Sequence, residues 1–272
     1  MKRSFRFTLY CLSAMIPAGA SVTTHAEPGR APHQAAPVVF QAAGPDAASI
    51  QSAVDAFRAK LGALNPNVAG SFGTGRREIN WDGVPDALSA PNSMPPDFFN
   101  VNSPRGAVFD TPGTGFQVSA KAGNPTGTPV RFGNLNSTYP ELFSVFSPQR
   151  LFTALGSNVS FTRFFVPGSN VPATTSGFGV VFTDVGLRPD QARCGEAHHT
   201  RVTYFDADGN SLFEMDVPAT TGNAGLSFVG AFFPDDRVAT VAIVSGSTAP
   251  GRDDDGCTDV VVMDDFIYGE PS

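Results

Sequence analysis

From about residue 70 onward the chain alternates apolar and polar positions in short runs, separated by Gly, Pro and Asn. A period of two with such punctuation predicts β-strands and turns. The first run, 76–83, places Ile79 and Trp81 on one face and Glu78, Asn80 and Asp82 on the other. Further runs fall at 107–110, 116–120, 130–132, 151–152, 159–166, 178–184, 202–206, 211–217, 226–232, 237–244 and 259–268. That spacing is expected of a β-sandwich or jelly roll. Asp206-Ala207-Asp208-Gly209-Asn210, lying between two alternating runs, predicts a hairpin turn rather than a calcium loop, because no later ligands follow it. One stretch keeps a different period. Ile50, Val54, Phe57, Leu61 and Leu64 recur at spacings of three and four, which predicts one amphipathic helix over 46–65, capped by Asp46 and stopped by Asn65-Pro66. Its stripe needs a surface to cover, expected to be one side of the β-domain at 70–270.

The first residues read differently again. Lys2, Arg3 and Arg6 precede a short apolar stretch, and Thr24-His25-Ala26 offers a small-x-small cleavage site. Residues 1–26 therefore predict a secretory signal peptide, and 27–45, rich in Ala, Pro and Gln, a flexible leader. No segment of the mature chain is long and apolar enough to span a membrane. The expectation is an exported protein, secreted or periplasmic, and monomeric.

Composition adds three points. Charged residues are only 16% and Gly (28), Pro (23) and Phe (24) are abundant, which suits many turns around a Phe-rich core. The formal charge of −7 becomes more negative once the basic signal is removed. An acidic surface without a Lys/Arg cluster argues against nucleic acid and anionic lipid as partners. After export two cysteines remain, Cys194 and Cys257, each in a long insert between strands. In an oxidising compartment they are expected to pair. The alternative is a zinc site shared with His198 or His199.

The candidate chemistry centres on the last strand, where Asp264 and Asp265 interrupt an apolar run. Regular alternation puts Asp264 on the face of Val262 and Phe266, and Asp265 on that of Met263 and Ile267. Buried carboxylates need a cation, a metal or hydrogen-bond donors. If first and last strands lie together, Glu78, Asp82, Asp264 and Asp265 could hold a structural Ca²⁺, which takes six to eight oxygens. The competing readings are pairing with Arg76, Arg77 or Arg105, or capping of loop amides. Asp253-Asp254-Asp255-Gly256 is read as a solvated loop, with a bound cation as its alternative. For a ligand, Tyr139 and the Phe98-Phe99 pair are the candidate aromatic platforms, since they fall in loops, whereas Trp81 alternates with Ile79 and reads as core. No nucleophile elbow, zinc-protease motif or phosphate loop is present in the sequence.

The series Ile79-Asn80-Trp81-Asp82-Gly83-Val84-Pro85, Arg105-Gly106-Ala107-Val108-Phe109, Ser176-Gly177-Phe178-Gly179, Val202–Asn210 and Met263–Gly269 resembles exported bacterial β-sandwich ectodomains of the PEP-CTERM type. These are similar to carbohydrate-binding-module jelly rolls. The resemblance covers residues 76–269. It implies an all-β, jelly-roll-like antiparallel sandwich with the helix added, and a structural Ca²⁺ where the terminal strands meet. Unlike that group, the sequence carries no sorting segment after Gly269, which implies release. Function is expected to be non-catalytic: a binding or structural module for an extracellular polysaccharide or cell-surface component. A secreted hydrolase of the glycoside type, using loop carboxylates, is the alternative.

Overall fold

A computed structural model describes residues 35–186, 200–235, 237–255 and 257–272. Cys194, His198 and His199 lie outside the described residues, as does the signal-peptide segment. Two antiparallel sheets dominate. One contains β1 (Val38–Gly44), β2 (Arg76–Ile79), β4 (Gly115–Val118), β5 (Phe152–Leu155), β7 (Gly177–Thr183), β10 (Leu226–Phe232) and β12 (Val262–Gly269), and the other β3 (Ala107–Asp110), β6 (Val159–Phe164), β8 (Arg201–Phe205), β9 (Ser211–Asp216) and β11 (Thr240–Val244). The first runs β1-β10-β7-β12-β5-β4, with β2 sharing an edge of β12, and the second runs β3-β6-β11-β8-β9. The protein is therefore an all-β sandwich. Between the sheets lies one large apolar cluster in which Trp81 stacks on Phe152, 4.0 Å between ring centroids, and Phe99, Phe109 and Phe266 surround it.

Helix α1 (Ala47–Leu61) starts where Asp46 Oδ1 accepts from the Ser49 amide at 3.0 Å. Its buried residues Ile50, Val54, Phe57 and Leu61 cover the outer face of the larger sheet, against Val181, Phe228 and Ile267. Sequence detail makes room for the helix. Gly179 of β7 and Gly230 of β10 face one another across the strands, and a Cβ on Gly179 would come within 2.7 Å of the Phe57 ring. Two missing side chains thus form the hollow into which Phe57 inserts.

Several expectations are corrected here. Residues 38–44 are not leader but edge strand, paired with β10 along their whole length. Val38-Val39-Phe40 had too short an apolar run to register beside the surrounding alanines, and the partner strand supplies the hydrogen bonds that decide it. The run at 130–132 contributes a single bridge, Ala120 to Val130, and no strand. Arg131 and Phe132 both have positive φ there. Asp206–Asn210 does form the turn of the β8–β9 hairpin, with Asp206 Oδ1 accepting from the amides of Asp208 and Asn210 at 3.0 and 2.8 Å.

Candidate functional site

Strand β12 is buried along its whole length, including Asp264 and Asp265. It runs antiparallel to β2, with Ile267 opposite Glu78 and Phe266 opposite Ile79. On its other side the register against β7 slips: Met263 faces Phe182, but Phe266 faces Val180. Two residues therefore stand opposite one, which is a β-bulge. The bulge falls on the two aspartates and resets the side-chain alternation. Met263 and Phe266, three apart, both enter the inter-sheet core, while Ile267 points to the helix. The face assignment drawn from strict alternation is thus overturned, because a bulge inserts a residue that the period cannot carry.

The bulge turns both aspartates toward the loop at 146–150. Asp264 Oδ2 accepts from the Phe146 amide at 2.6 Å, and Asp265 Oδ1 accepts from Ser147 Oγ at 2.6 Å. Ser147 Oγ also lies 3.2 Å from Asp264 Oδ1, but one hydroxyl has one proton to give. Burial, and then the charge of Asp265, hold the Asp264 carboxyl well above the usual carboxylate range. Burial raises Asp265 too, opposed by its bonds to Ser147 and Asp264 and by Arg58. The pair therefore keeps a proton on Asp264, with Asp265 as the charged member. Arg58, from α1, reaches Asp265 Oδ2 at 3.5 Å and grips Glu78 with two bonds of 3.0 and 2.9 Å. Arg76 adds a third bond to Glu78 at 2.6 Å.

Of the four proposed calcium ligands, Glu78, Asp264 and Asp265 are brought together and Asp82 is not grouped with them. Strand β2 ends at Ile79, and Trp81 takes a left-handed conformation, φ 65°, held by its stacking on Phe152 and by Nε1 donating to the Asp264 carbonyl at 2.8 Å. Asp82 consequently turns to accept from the amides of Gln149 and Arg150 at 2.7 and 3.1 Å. One loop thus receives the carboxylates of both terminal strands. Among the described residues no group of three or more His, Cys, Asp or Glu side chains is placed to hold a metal ion. Of the three arginines suggested by sequence, Arg76 reaches this cluster. Arg77 instead pairs with Glu270 at 2.6 Å, fully buried. Sequence reasoning missed Arg58, whose only signal was its place beside Phe57 on the edge of the apolar stripe, and Ser147.

The aromatic candidates are corrected as well. Tyr139, Phe98 and Phe99 are buried. Phe98 and Phe99 lie in the single-turn helix α2 (Phe98–Val101), with Phe99 edge-on to Trp81 at 5.4 Å. Tyr139 opens another single turn, α3 (Tyr139–Leu142), and its hydroxyl donates to the Arg252 carbonyl and accepts from the Gly251 amide, both at 2.7 Å. In a Phe-rich chain even loop aromatics are drawn inside, because their area is the main apolar surface available to bury.

What does open to solvent is a polar cleft of about 470 Å³ beside Asp265. Gln51 and Arg58 of α1, Asn67, Asn80, Glu78 and Arg105 contribute polar groups, and Leu64, Phe146 and Pro148 apolar surface. Arg105 is distinctive. It rests 5.1 Å over the Phe99 ring and donates to Ser103 Oγ, but its Nε has no hydrogen-bond partner. Burial, with Arg77 nearby, lowers its pKa, though an arginine stays charged near neutral pH. The site thus offers amides, a charged fork and a carboxylate that holds its proton more readily than usual.

No family model matches the chain, and no curated protein matches it. Among solved structures, the enzymatically active domain of bacteriophage CBA120 tailspike protein 4 aligns with a TM-score of 0.27 at 10% identity, over 69% of this chain and 22% of that one. This chain therefore spans about a fifth of the tailspike chain, and so slight a likeness carries no argument about activity.

Proposed function

We propose that this is an exported, non-catalytic binding module whose cleft beside Asp265 takes a polar saccharide segment of an extracellular or cell-surface polymer. The observation that carries the reading is the composition of the cleft. Three amides (Gln51, Asn67, Asn80) and the Arg105 guanidinium surround a small apolar patch, and the Nε of that guanidinium has no hydrogen-bond partner among the described residues. Planar donor and acceptor groups suit vicinal hydroxyls, and an Arg fork gives bidentate specificity. A jelly roll is the finer fold reading. It is supported by the strand order β5-β12-β7-β10 facing β6-β11-β8-β9, in which the chain from β5 to β12 crosses repeatedly between sheets. That order accords with the resemblance to carbohydrate-binding jelly rolls and PEP-CTERM-type ectodomains. Pairing of Cys194 with Cys257 belongs to the same proposal, as the device that ties two long inserts together.

Isothermal titration of the mature chain against a panel of neutral and acidic polysaccharides tests the reading. Binding to at least one, weakened tenfold or more by Arg105→Met and by Asn80→Ala, is expected. Absence of binding to any member removes it. A glycosidase is the second reading. It is favoured by Asp265 and Glu78 lining one cleft, two carboxylates of the kind glycoside hydrolysis uses. Release of chromophore from aryl glycosides, lost in Glu78→Gln and Asp265→Asn, would establish it.

A further inference from the structure

The charges around the cleft beside Asp265 do not cancel. Arg58 and Arg76 hold Glu78, and Arg58 also reaches Asp265, so two arginines stand against two carboxylates. Arg77, close by, is balanced by Glu270 through two bonds of 2.6 and 2.8 Å. Arg105 is left over. It lines the cleft and forms no ion pair with any described residue.

The backbone holds this residue in place. Its amide donates to the Phe99 carbonyl at 2.8 Å, and its carbonyl accepts from the Tyr268 hydroxyl at 3.1 Å. The guanidinium lies over the Phe99 ring, with Nη1 donating to Ser103 Oγ. Nε and Nη2 have no partner among the described residues, and Nε is shut off from water. Burial works against the charged form, and Arg77 adds repulsion. A cation so placed gains from an anion that brings its own oxygens. Bulk charge does not supply that attraction: the chain has a formal charge of −7, which repels polyanions.

We propose that the cleft selects saccharides bearing a carboxylate, the uronic acids, and that Arg105 is the residue that reads the carboxylate. The inference rests on the saccharide-binding reading above and names the ligand class for the same cleft. A carboxylate drawn up to Nη2 is planar and offers its second oxygen to Nε, the fork-to-fork pairing to which arginine is suited. Asn67 and Asn80, both exposed, remain for ring hydroxyls, and Phe146 and Pro148 for the apolar C–H face of the sugar. Glu78 and Asp265 do not repel such a ligand, because Arg58 and Arg76 already balance them. A neutral sugar leaves the surplus charge of Arg105 as it was.

The test is calorimetric titration with oligomers of galacturonate, mannuronate and glucuronate, each also as its methyl ester, which keeps the ring and removes the charge. At least one acid should bind the wild type about tenfold more tightly than its ester, the worth of one charge-assisted hydrogen bond. Arg105→Met should bring acid and ester to the same affinity. Arg105→Lys, which keeps the charge without the fork, should restore part of the preference. Thermal melting establishes that both variants are folded, and the acid-to-ester ratio of the wild type decides the selectivity whether or not they are. Esters or neutral polysaccharides bound as tightly as the acids overturn the proposal and leave the saccharide-binding reading in place. Binding of no saccharide at all removes both. An acid preference that survives undiminished in folded Arg105→Met also overturns it, since another group would then be reading the charge.

Discussion

At the scale of single residues, the protein handles buried charge by several different means. Glu78 is held by two arginines, Asp82 by two backbone amides, and Asp264 by a proton, the Phe146 amide and its neighbour Asp265. These have different consequences with pH. Because Asp264 and Asp265 titrate higher when folded than when unfolded, the native state binds more protons than the unfolded chain at pH values above the ordinary carboxylate range. Stability from this pair is full at low pH and declines as pH rises through the folded values. Asp264→Asn keeps an oxygen for the Phe146 amide and cannot ionise, so its Tm should vary less between pH 4 and 8 than that of the wild type. Equal slopes in the two proteins would show that other groups carry the dependence. Arg58 makes the opposite case. Replacing it by Met leaves Glu78 with Arg76 alone and Asp265 with no arginine, and should cost about 2–3 kcal/mol in urea unfolding.

At the scale of elements, α1 and the loop at 146–150 are attached to the same strand, β12, from different directions. The helix attaches through shape. Phe57 occupies the hollow over Gly179 and Gly230, touching Phe40 and Phe228 at ring-centroid distances of 5.4 and 5.8 Å. Gly179→Ala should therefore push Phe57 outward and destabilise by about 1–3 kcal/mol. Phe57→Ala should cost about 3–5 kcal/mol, leaving a cavity the sheet cannot collapse to fill. If the helix merely rested on the sheet, both changes would be nearly silent in chemical denaturation. The loop attaches through polar bonds, to Asp82 at one end and Asp264 and Asp265 at the other. It forms the apolar part of the cleft rim through Phe146 and Pro148. Substituting Ser147→Ala should thus weaken the proposed saccharide binding by loosening the rim, while the stability of the sandwich changes by only about 1 kcal/mol, the usual value of one hydrogen bond.

At the scale of the whole molecule, two apolar layers and the polar seams between them follow from one arrangement: the first strand of the sandwich proper beside the last. Local patterning made much of this legible. Alternation in runs such as 159–166 and 226–232 located strands because their neighbours in sequence repeat the same inside-outside choice that burial enforces. Asp-Gly between 206 and 210 located a hairpin because the turn itself demands those residues. The stripe from Ile50 to Leu61 located the helix because apolar spacing is a property of the chain alone. Strand β1 escaped notice, because Val38 to Gly44 becomes a strand only when β10 offers its edge. Of the calcium ligands drawn from Glu78, Asp82, Asp264 and Asp265, Asp82 failed to join the others for a similar reason. Their orientations depended on a bulge in β12 and a left-handed Trp81, neither of which has a periodic signature.

By itself, then, the sequence determined the all-β class, the positions of most strands and the presence of acidic groups in an apolar run. Each of those is set by side chains within a few residues of one another. Tertiary structure alone decided which partner each charge found. Arg58 meets Asp265 across 207 positions of chain, and Ser147 meets it across 118. Such encounters depend on register, bulges and the packing of one layer on another, and the free energy of a buried charge depends on them entirely.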